Sequence, residues 1–237
     1  MHIRTFGLTH TGLNREKNED RFMIKKMDGG SVFLAVADGM GGEVAGEYAA
    51  EITLERLGKM KSAVKDIEKQ LVLLVGEADS AILGEVEKNP VLEGMGTTLT
   101  GIFLKNGIGY WAQVGDSRLY LLRDNKVIWQ TKDQSLVQFL IDEGEITHAE
   151  ANAHPARHMI DQCVGCGVCE PETGSLDLQE QDQVLLSTDG LHGSLDEATI
   201  IKILSSKAEI EVKANDLVNA ALKTGGRDNI TVVIAEI

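Results

Sequence analysis

The residues of this chain best suited to chemistry are carboxylates placed where strands should end. Asp38 follows the apolar run Val32 to Ala37 and precedes Gly39-Met40-Gly41-Gly42. Asp189 follows Val184-Leu185-Leu186-Ser187-Thr188 in the same manner, with Gly190 after it. Glu19, Asp20, Asp116 and Asp228 lie in polar turns that border other apolar segments. One Asp-Gly reads as a tight turn or a helix cap; the joint pattern carries more. Carboxylates gathered without cations repel, and some must take up protons. Divalent cations remove that cost. Two Mg²⁺ or Mn²⁺ ions roughly 4 Å apart, bridged by a carboxylate, lower the pKa of a shared water and orient it for in-line attack. Mg²⁺ keeps several waters, so a few carboxylates per ion suffice. No His/Cys set at zinc spacing competes near these turns. Gly39, Gly41 and Gly42 let the backbone turn and come close to a ligand.

The elements that must position these residues follow from periodicity. Val32 to Ala37 is a continuous apolar run, the pattern of a buried strand. Arg21 to Lys26 and Val32 to Asp38 form a hairpin through Asp28-Gly29-Gly30, which sets Glu19-Asp20 and Asp38 at one end of paired strands. Ala45 to Met60 reads as a helix. Val64, Ile67, Leu71, Leu74, Ala78, Ile82 and Val86 step by threes and fours along a second, ended by Asn89-Pro90. Gly96 to Leu104, Ile108 to Gly115, Leu119 to Leu122 and Lys126 to Thr131 make an antiparallel meander with turns at Asn106-Gly107 and Asp124-Asn125. Helices are expected at Gln134 to Glu143, Thr147 to Ala153, Asp196 to Ser205 and Glu209 to Lys223, with strands at Ile3 to Thr9, Val184 to Leu186 and Ile230 to Glu236. His154 to Glu172 is the least regular stretch.

The 237 residues show no linker, repeat or low-complexity segment, so one domain over 1–237 is expected. Formal net charge is −14 from 37 acidic and 23 basic residues, which argues against nucleic acid as a partner because no basic surplus replaces its counterions. The longest apolar runs are about six residues against the roughly 20 needed to span a bilayer. Residues 1–6 lack a secretory apolar stretch, and a cytoplasmic protein without membrane contact is expected.

Arg15-Glu16-Lys17-Asn18-Glu19-Asp20, Asp38-Gly39-Met40-Gly41-Gly42, Gly96-Thr97-Thr98, Gly115-Asp116-Ser117-Arg118, Ser187-Thr188-Asp189-Gly190 and Gly226-Arg227-Asp228-Asn229-Ile230-Thr231 together resemble the ordered motifs of the metal-dependent protein serine/threonine phosphatases, the type 2C or PPM family, in its bacterial branch. The resemblance runs from about Thr9 to Val233. It implies an α+β fold, a four-layer α-β-β-α sandwich of two antiparallel sheets flanked by helix pairs. It implies that Asp38 bridges two metals, joined by Glu19 on one side and by the Gly39 carbonyl, Asp189 and Asp228 on the other. Asp20 supports the site, and Asp116 with Asp189 holds a weaker third metal. Arg15 clamps the substrate phosphate with its planar fork of donors, and Asn229 helps position water. The implied reaction is one-step hydrolysis of phosphoserine or phosphothreonine by a metal-activated water, with Mn²⁺ or Mg²⁺ as cofactor and no Cys nucleophile. A monomer that opposes a bacterial Ser/Thr kinase is expected. The alternatives are a phosphatase of a phosphorylated anti-sigma antagonist-type regulator, or a non-catalytic module that binds phosphoproteins.

Two departures stand out. Some members of the family carry a His, assigned as general acid, where this chain has Met40, which donates no proton; His154 or His192 are the substitutes in sequence, with His192 reading rather as a packing or surface residue. Within the flap-like region, about 134–172, lies Cys163-x-x-Cys166-x-x-Cys169. The spacing is that of iron–sulfur or zinc ligation without a fourth ligand, which His158 or His154 could supply in space. The odd, tightly spaced set does not look like a secreted disulfide framework. Structural thiols, a redox-sensitive loop and a metal-binding loop are the readings.

Overall fold

A computed structural model describes residues 2–41, 45–167 and 169–237. The strands are β1 (Arg4–His10), β2 (Arg21–Lys26), β3 (Val32–Ala37), β4 (Gly39–Met40), β5 (Gly96–Thr97), β6 (Leu99–Lys105), β7 (Ile108–Val114), β8 (Arg118–Arg123), β9 (Lys126–Gln130), β10 (Glu172–Asp177), β11 (Gln183–Ser187) and β12 (Ile230–Glu236). The helices are α1 (Ala45–Leu57), α2 (Ile67–Lys88), α3 (Leu136–Asp142), α4 (His148–Ala153), α5 (Asp189–His192), α6 (Glu197–Leu204) and α7 (Ile210–Lys223). Two five-stranded antiparallel sheets run β1-β12-β11-β8-β9 and β10-β7-β6-β3-β2, and β4 pairs with β5 alone.

Strand β3 shows why its sequence is apolar without interruption. Val32, Leu34 and Val36 pack between the sheets against Leu119, Leu121, Leu186 and Val233. Phe33, Ala35 and Ala37 face outward into a second core with Ala49, Leu57, Leu71, Val75 and Ala78 of α1 and α2. Both faces are therefore covered, and each full burial of a large aliphatic side chain is worth about 1.5–3 kcal/mol. On the far side, Tyr120, Leu185, Val232 and Ile234 meet Ile200, Leu204, Leu217 and Ala221 of α6 and α7. The layers are thus α-β-β-α, as the resemblance implies.

The turns follow their sequences. Asn106-Gly107 and Asp124-Asn125 all have positive φ, between 51° and 77°, as two-residue hairpin turns require. Asp66 caps α2 by accepting from Lys69 N, and Thr147 with Glu150 forms a capping box on α4. The expected strand Gly96 to Leu104 is broken at Thr98, which leaves the ladder to hydrogen-bond Asp38. Strand β10 and the single turn α5 are absent from the sequence expectations. β10 is a half-exposed edge strand with little apolar signal, paired only with β7. No helix among the described residues is long and apolar enough to cross a membrane.

Candidate metal centre

Sheet register brings the strand-end carboxylates together. Arg21 lies opposite Ala37, so Asp20 and Asp38 leave the β2–β3 hairpin side by side. Leu186 lies opposite Val233, so Asp189 after β11 and Asp228 before β12 meet at one end of the other sheet. Asp38 is fixed through its backbone. Its N–H donates to Thr98 Oγ1 at 3.0 Å, and its carbonyl accepts from Thr98 N at 2.9 Å and Thr97 Oγ1 at 2.8 Å. Gly39 is required for space rather than for its φ: a Cβ there would collide with the Gly46 carbonyl in α1. Gly41 is the residue with the unusual backbone, φ 130°. Gly42 lies outside the described residues.

Asp20 is fully buried beneath this cluster. Its Oδ2 accepts from Thr188 Oγ1 at 2.8 Å and Thr231 Oγ1 at 2.6 Å. Thr231 and Thr9 hydroxyls are 2.7 Å apart, and Asn18 Nδ2 donates to Thr9 Oγ1 at 2.8 Å. One hydroxyl network thus ties the ends of β1, β2, β11 and β12 under the acidic surface.

The electrostatics are those of crowded carboxylates. Burial, followed by the charges of Asp20, Asp189, Asp116 and Asp228, holds the Asp38 carboxyl well above its ordinary value. Burial pushes Asp20 up to about 7 against the pull of its two threonine hydroxyls. Asp116 rises to about 8, by burial and then by Asp189 and Asp133. Asp189 is raised by burial and Asp228, and is close enough to Asp38 for one carboxyl to hydrogen-bond the other. Such a cluster keeps protons near neutrality unless cations replace them.

Arg15 stands at the exposed lip, with one guanidinium nitrogen 2.8 Å from Asp228 Oδ2 and its charge felt by Asp38 and Asp189. Asn229 is buried and its amide is committed. Oδ1 accepts from Glu19 N at 2.8 Å, and Nδ2 donates to the carbonyls of Thr11 at 2.8 Å and Lys17 at 2.9 Å. Both N–H groups are spent on backbone, so Asn229 shapes the loop that carries Arg15 and Glu19. Replacing it by Ala removes these three hydrogen bonds. At about 1 kcal/mol for each, a loss of about 3 kcal/mol is expected, lowering the melting temperature by roughly 6–12 °C in a calorimetric scan.

Comparison with known proteins places this geometry in a lineage. The sequence profile of protein phosphatase 2C matches residues 9–224. The chain belongs to the protein phosphatase 2C family. The serine/threonine protein phosphatase PstP of Mycobacterium tuberculosis is 40% identical over 99% of this chain, and the chain spans 45% of that relative's length. The Streptococcus agalactiae serine/threonine phosphatase superposes with a TM-score of 0.93 at 30% identity, over 99% of each chain. The PstP catalytic domain, solved in complex with two manganese ions, gives 0.87 at 37% identity over 99% of this chain and 97% of that one.

The donor set of this protein phosphatase 2C member suits a hard cation. Glu19 Oε1, Asp20 Oδ1 and Asp189 Oδ1 are buried oxygens without hydrogen-bond partners. The backbone gap at Gly46 is one that a Cβ would close, to within 2.8 Å of Glu19 Oε1. All donors are oxygen, the preference of Mg²⁺ and Mn²⁺. Among the described residues no three His, Cys, Asp or Glu side chains close on a single point.

A depression of about 740 Å³ adjoins the cluster on its Asp116–Asp189 side, lined also by Arg118, Arg157, His158 and His192. His192 lines this depression beside Asp116 and Asp189. Burial holds its imidazole well below the ordinary value, and Nδ1 lies 3.0 Å from Ser187 Oγ. His154 Nδ1 accepts from Ala156 N at 3.2 Å. His158 also reaches the cluster, 3.9 Å from Asp189 Oδ2; only the fold reveals this, because 31 positions separate the two in sequence and no spacing rule links them. The cysteines differ from the three-thiol expectation. Cys163 and Cys166 are joined as a disulfide and Cys169 is free. One thiol is left, so the three do not form a thiolate metal site in this state.

Proposed function

We propose that this chain hydrolyses phosphoserine and phosphothreonine in proteins with the help of two divalent cations, Mn²⁺ or Mg²⁺. What carries the proposal is one observation: Asp38 lies within reach of the charges of Asp20, Asp116, Asp189 and Asp228, from four other turns, and Glu19 Oε1, Asp20 Oδ1 and Asp189 Oδ1 are buried without a protein partner. The two manganese ions of the PstP catalytic domain support it. Asp38 would be the shared ligand, with Glu19, the Gly39 carbonyl, Asp189 and Asp228 as the residues that hold the ions with it. Asp116 and Asp189 would hold a weaker third ion. When bound, such a pair acidifies a water and neutralises charge on the phosphoryl oxygens.

The chain's own residues supply the rest. Asp20 and its threonines fix the floor of the site. Asn229 sets the loop from Thr11 to Glu19 and is a positioning residue. Arg15 turns its remaining donors toward the phosphoryl oxygens, where a fixed cation stabilises charge that spreads during transfer. Residues 134–172 act as a flap over the neighbouring depression, where the peptide that flanks the phosphate lies. The chain works as a cytoplasmic monomer, with phosphoproteins as substrates and a Ser/Thr kinase as its opponent.

The test is hydrolysis of para-nitrophenyl phosphate and of a phosphothreonine peptide in Mn²⁺, in Mg²⁺ and in chelator. Turnover with metal and a fall of at least about 10³-fold in chelator are expected, equivalent to roughly 4 kcal/mol of barrier. Turnover indifferent to chelator, or none with any metal in folded protein, overturns the proposal.

A further inference from the structure

The segment Cys163-Val164-Gly165-Cys166 is built against the strand behind Asp38. Val164 and Thr97 exchange both backbone hydrogen bonds, at 2.9 and 3.0 Å. Gly165 N donates to Asp79 Oδ1 of α2 at 2.7 Å. The two sulfurs lie flat on Gly96, where a Cβ would stand 2.7 Å from Cys166 Sγ and 3.0 Å from Cys163 Sγ. Their Cα atoms are 5.5 Å apart, within the span a disulfide bridges. The sulfurs differ in access: Cys163 is 3% exposed, whereas Cys166 faces solvent. Cys169, half-buried against the α1–α2 core, has its thiol pushed up to about 12 by burial and then by Asp79, so it is a poor nucleophile toward its neighbours.

We propose that Cys163 and Cys166 are a reversible thiol–disulfide site, opened at Cys166 by a soluble dithiol and re-formed by a low-molecular-weight disulfide, and that its state controls how residues 163–166 seat on Gly96–Thr97 behind Asp38. A thiolate of the dithiol attacks exposed Cys166 Sγ, and Cys163 leaves as thiolate and takes a proton. The second thiol of the dithiol then attacks its own mixed-disulfide sulfur, so Cys166 leaves as thiolate and takes a proton. The protein gains two thiols and the dithiol becomes a disulfide. In re-formation, one molecule of small disulfide is reduced to two thiols as the protein bond closes.

The mechanical consequence follows from Gly96. Two sulfurs that share a bond fit over its backbone; two separate thiols stand at van der Waals distance, and one must move off. Val164 moves with them, and its partner Thr97 is the residue whose hydroxyl holds the Asp38 carbonyl. The coupling is thus the Val164–Thr97 backbone pair followed by the Thr97 hydroxyl on the Asp38 carbonyl. It holds whether or not the chain is a phosphatase.

The full chain is equilibrated in glutathione buffers stepped from reduced to oxidised, quenched with N-ethylmaleimide under denaturing conditions and weighed intact. Three alkylated cysteines at the reduced end and one at the oxidised end are expected, with the midpoint following the square of glutathione over its disulfide. Cys166→Ala, chosen because Cys163 is buried and its loss threatens folding, should abolish the step. Three free thiols at every ratio overturn the site, as does a bond that survives excess dithiothreitol in folded protein. A zinc ion retained on the thiols in native mass spectrometry overturns it too. Hydrogen exchange reads the coupling: peptides covering 95–99 and 162–167 should exchange at least about tenfold faster when reduced. Equal exchange in both states overturns the coupling.

Discussion

Asp38→Asn is expected to abolish metal-dependent turnover while leaving the metal-free fold at least as stable as before. The two effects have one origin. Asp38 sits among Asp20, Asp116, Asp189 and Asp228, and its charge is opposed both by burial and by theirs. Asn matches the shape of the protonated acid and removes a like charge, so chelator-treated variant should melt no lower than wild type. The same change deletes the proposed bridging ligand. Removing a group that organises charge in the transition state typically costs about 10²–10³ in rate for a neutral donor, and a ligand shared by two ions should exceed that. A loss of at least about 10³ in kcat/KM on para-nitrophenyl phosphate is expected, with loss of the Mn²⁺-induced rise in melting temperature. Retained turnover would remove Asp38 from the centre of the site.

The second large effect is in pH and metal together. Without cations, Asp20, Asp38, Asp116 and Asp189 all have carboxyls raised above the ordinary 3.8. The folded chain therefore holds more protons than the unfolded chain, and stability falls as pH rises. The window opens near 3.8 and closes near 7 for Asp20 and near 8 for Asp116. Asp20 is fully buried, and its shift alone is worth about 4 kcal/mol at most, from 1.36 kcal/mol per unit. Allowing for proton sharing, about 2 kcal/mol should be lost between pH 5 and pH 8, or roughly 4–8 °C in melting temperature for a chain of this size. Mn²⁺ at 100 times its dissociation constant would restore about 2.7 kcal/mol at pH 8. Scans in chelator and in Mn²⁺ at both pH values give the check; a chelated protein that is steadier at pH 8 than at pH 5 would contradict the crowded-carboxylate account.

Sequence makes the acidic cluster legible because strand polarity does the placing. An Asp just past an apolar run, directly after it at Asp38 and three residues on at Asp189, has to emerge at a sheet end, and a hairpin through Asp28-Gly29-Gly30 fixes which end Asp20 shares. Strand β10 escapes because Glu-Thr-Gly-Ser-Leu-Asp, at an edge, carries almost no apolar alternation. The hold of Asn229 on Glu19 spans 210 positions, and no local rule links residues so far apart. His158 escapes for a similar reason, since its approach to Asp189 depends on the path of 134–172. The cysteine spacing is visible in sequence; which two pair is not, and the room that Gly96 leaves for the sulfurs of Cys163 and Cys166 comes from a strand 67 positions before Cys163.

The position of β12 has a consequence during synthesis. It lies between β1 and β11, pairing Arg4 with Glu236 on one side and Leu186 with Val233 on the other. Until Ile230–Glu236 has left the ribosome, β1 has no partner strand and Asp228 has nothing to hold it beside Asp189. A nascent chain can already possess the β3–β6–β7 sheet and most of the strand-end carboxylates, yet it cannot gather them. Assembly of the site is therefore timed by translation: a nascent chain that still lacks β12 cannot bring Asp228 beside Asp189.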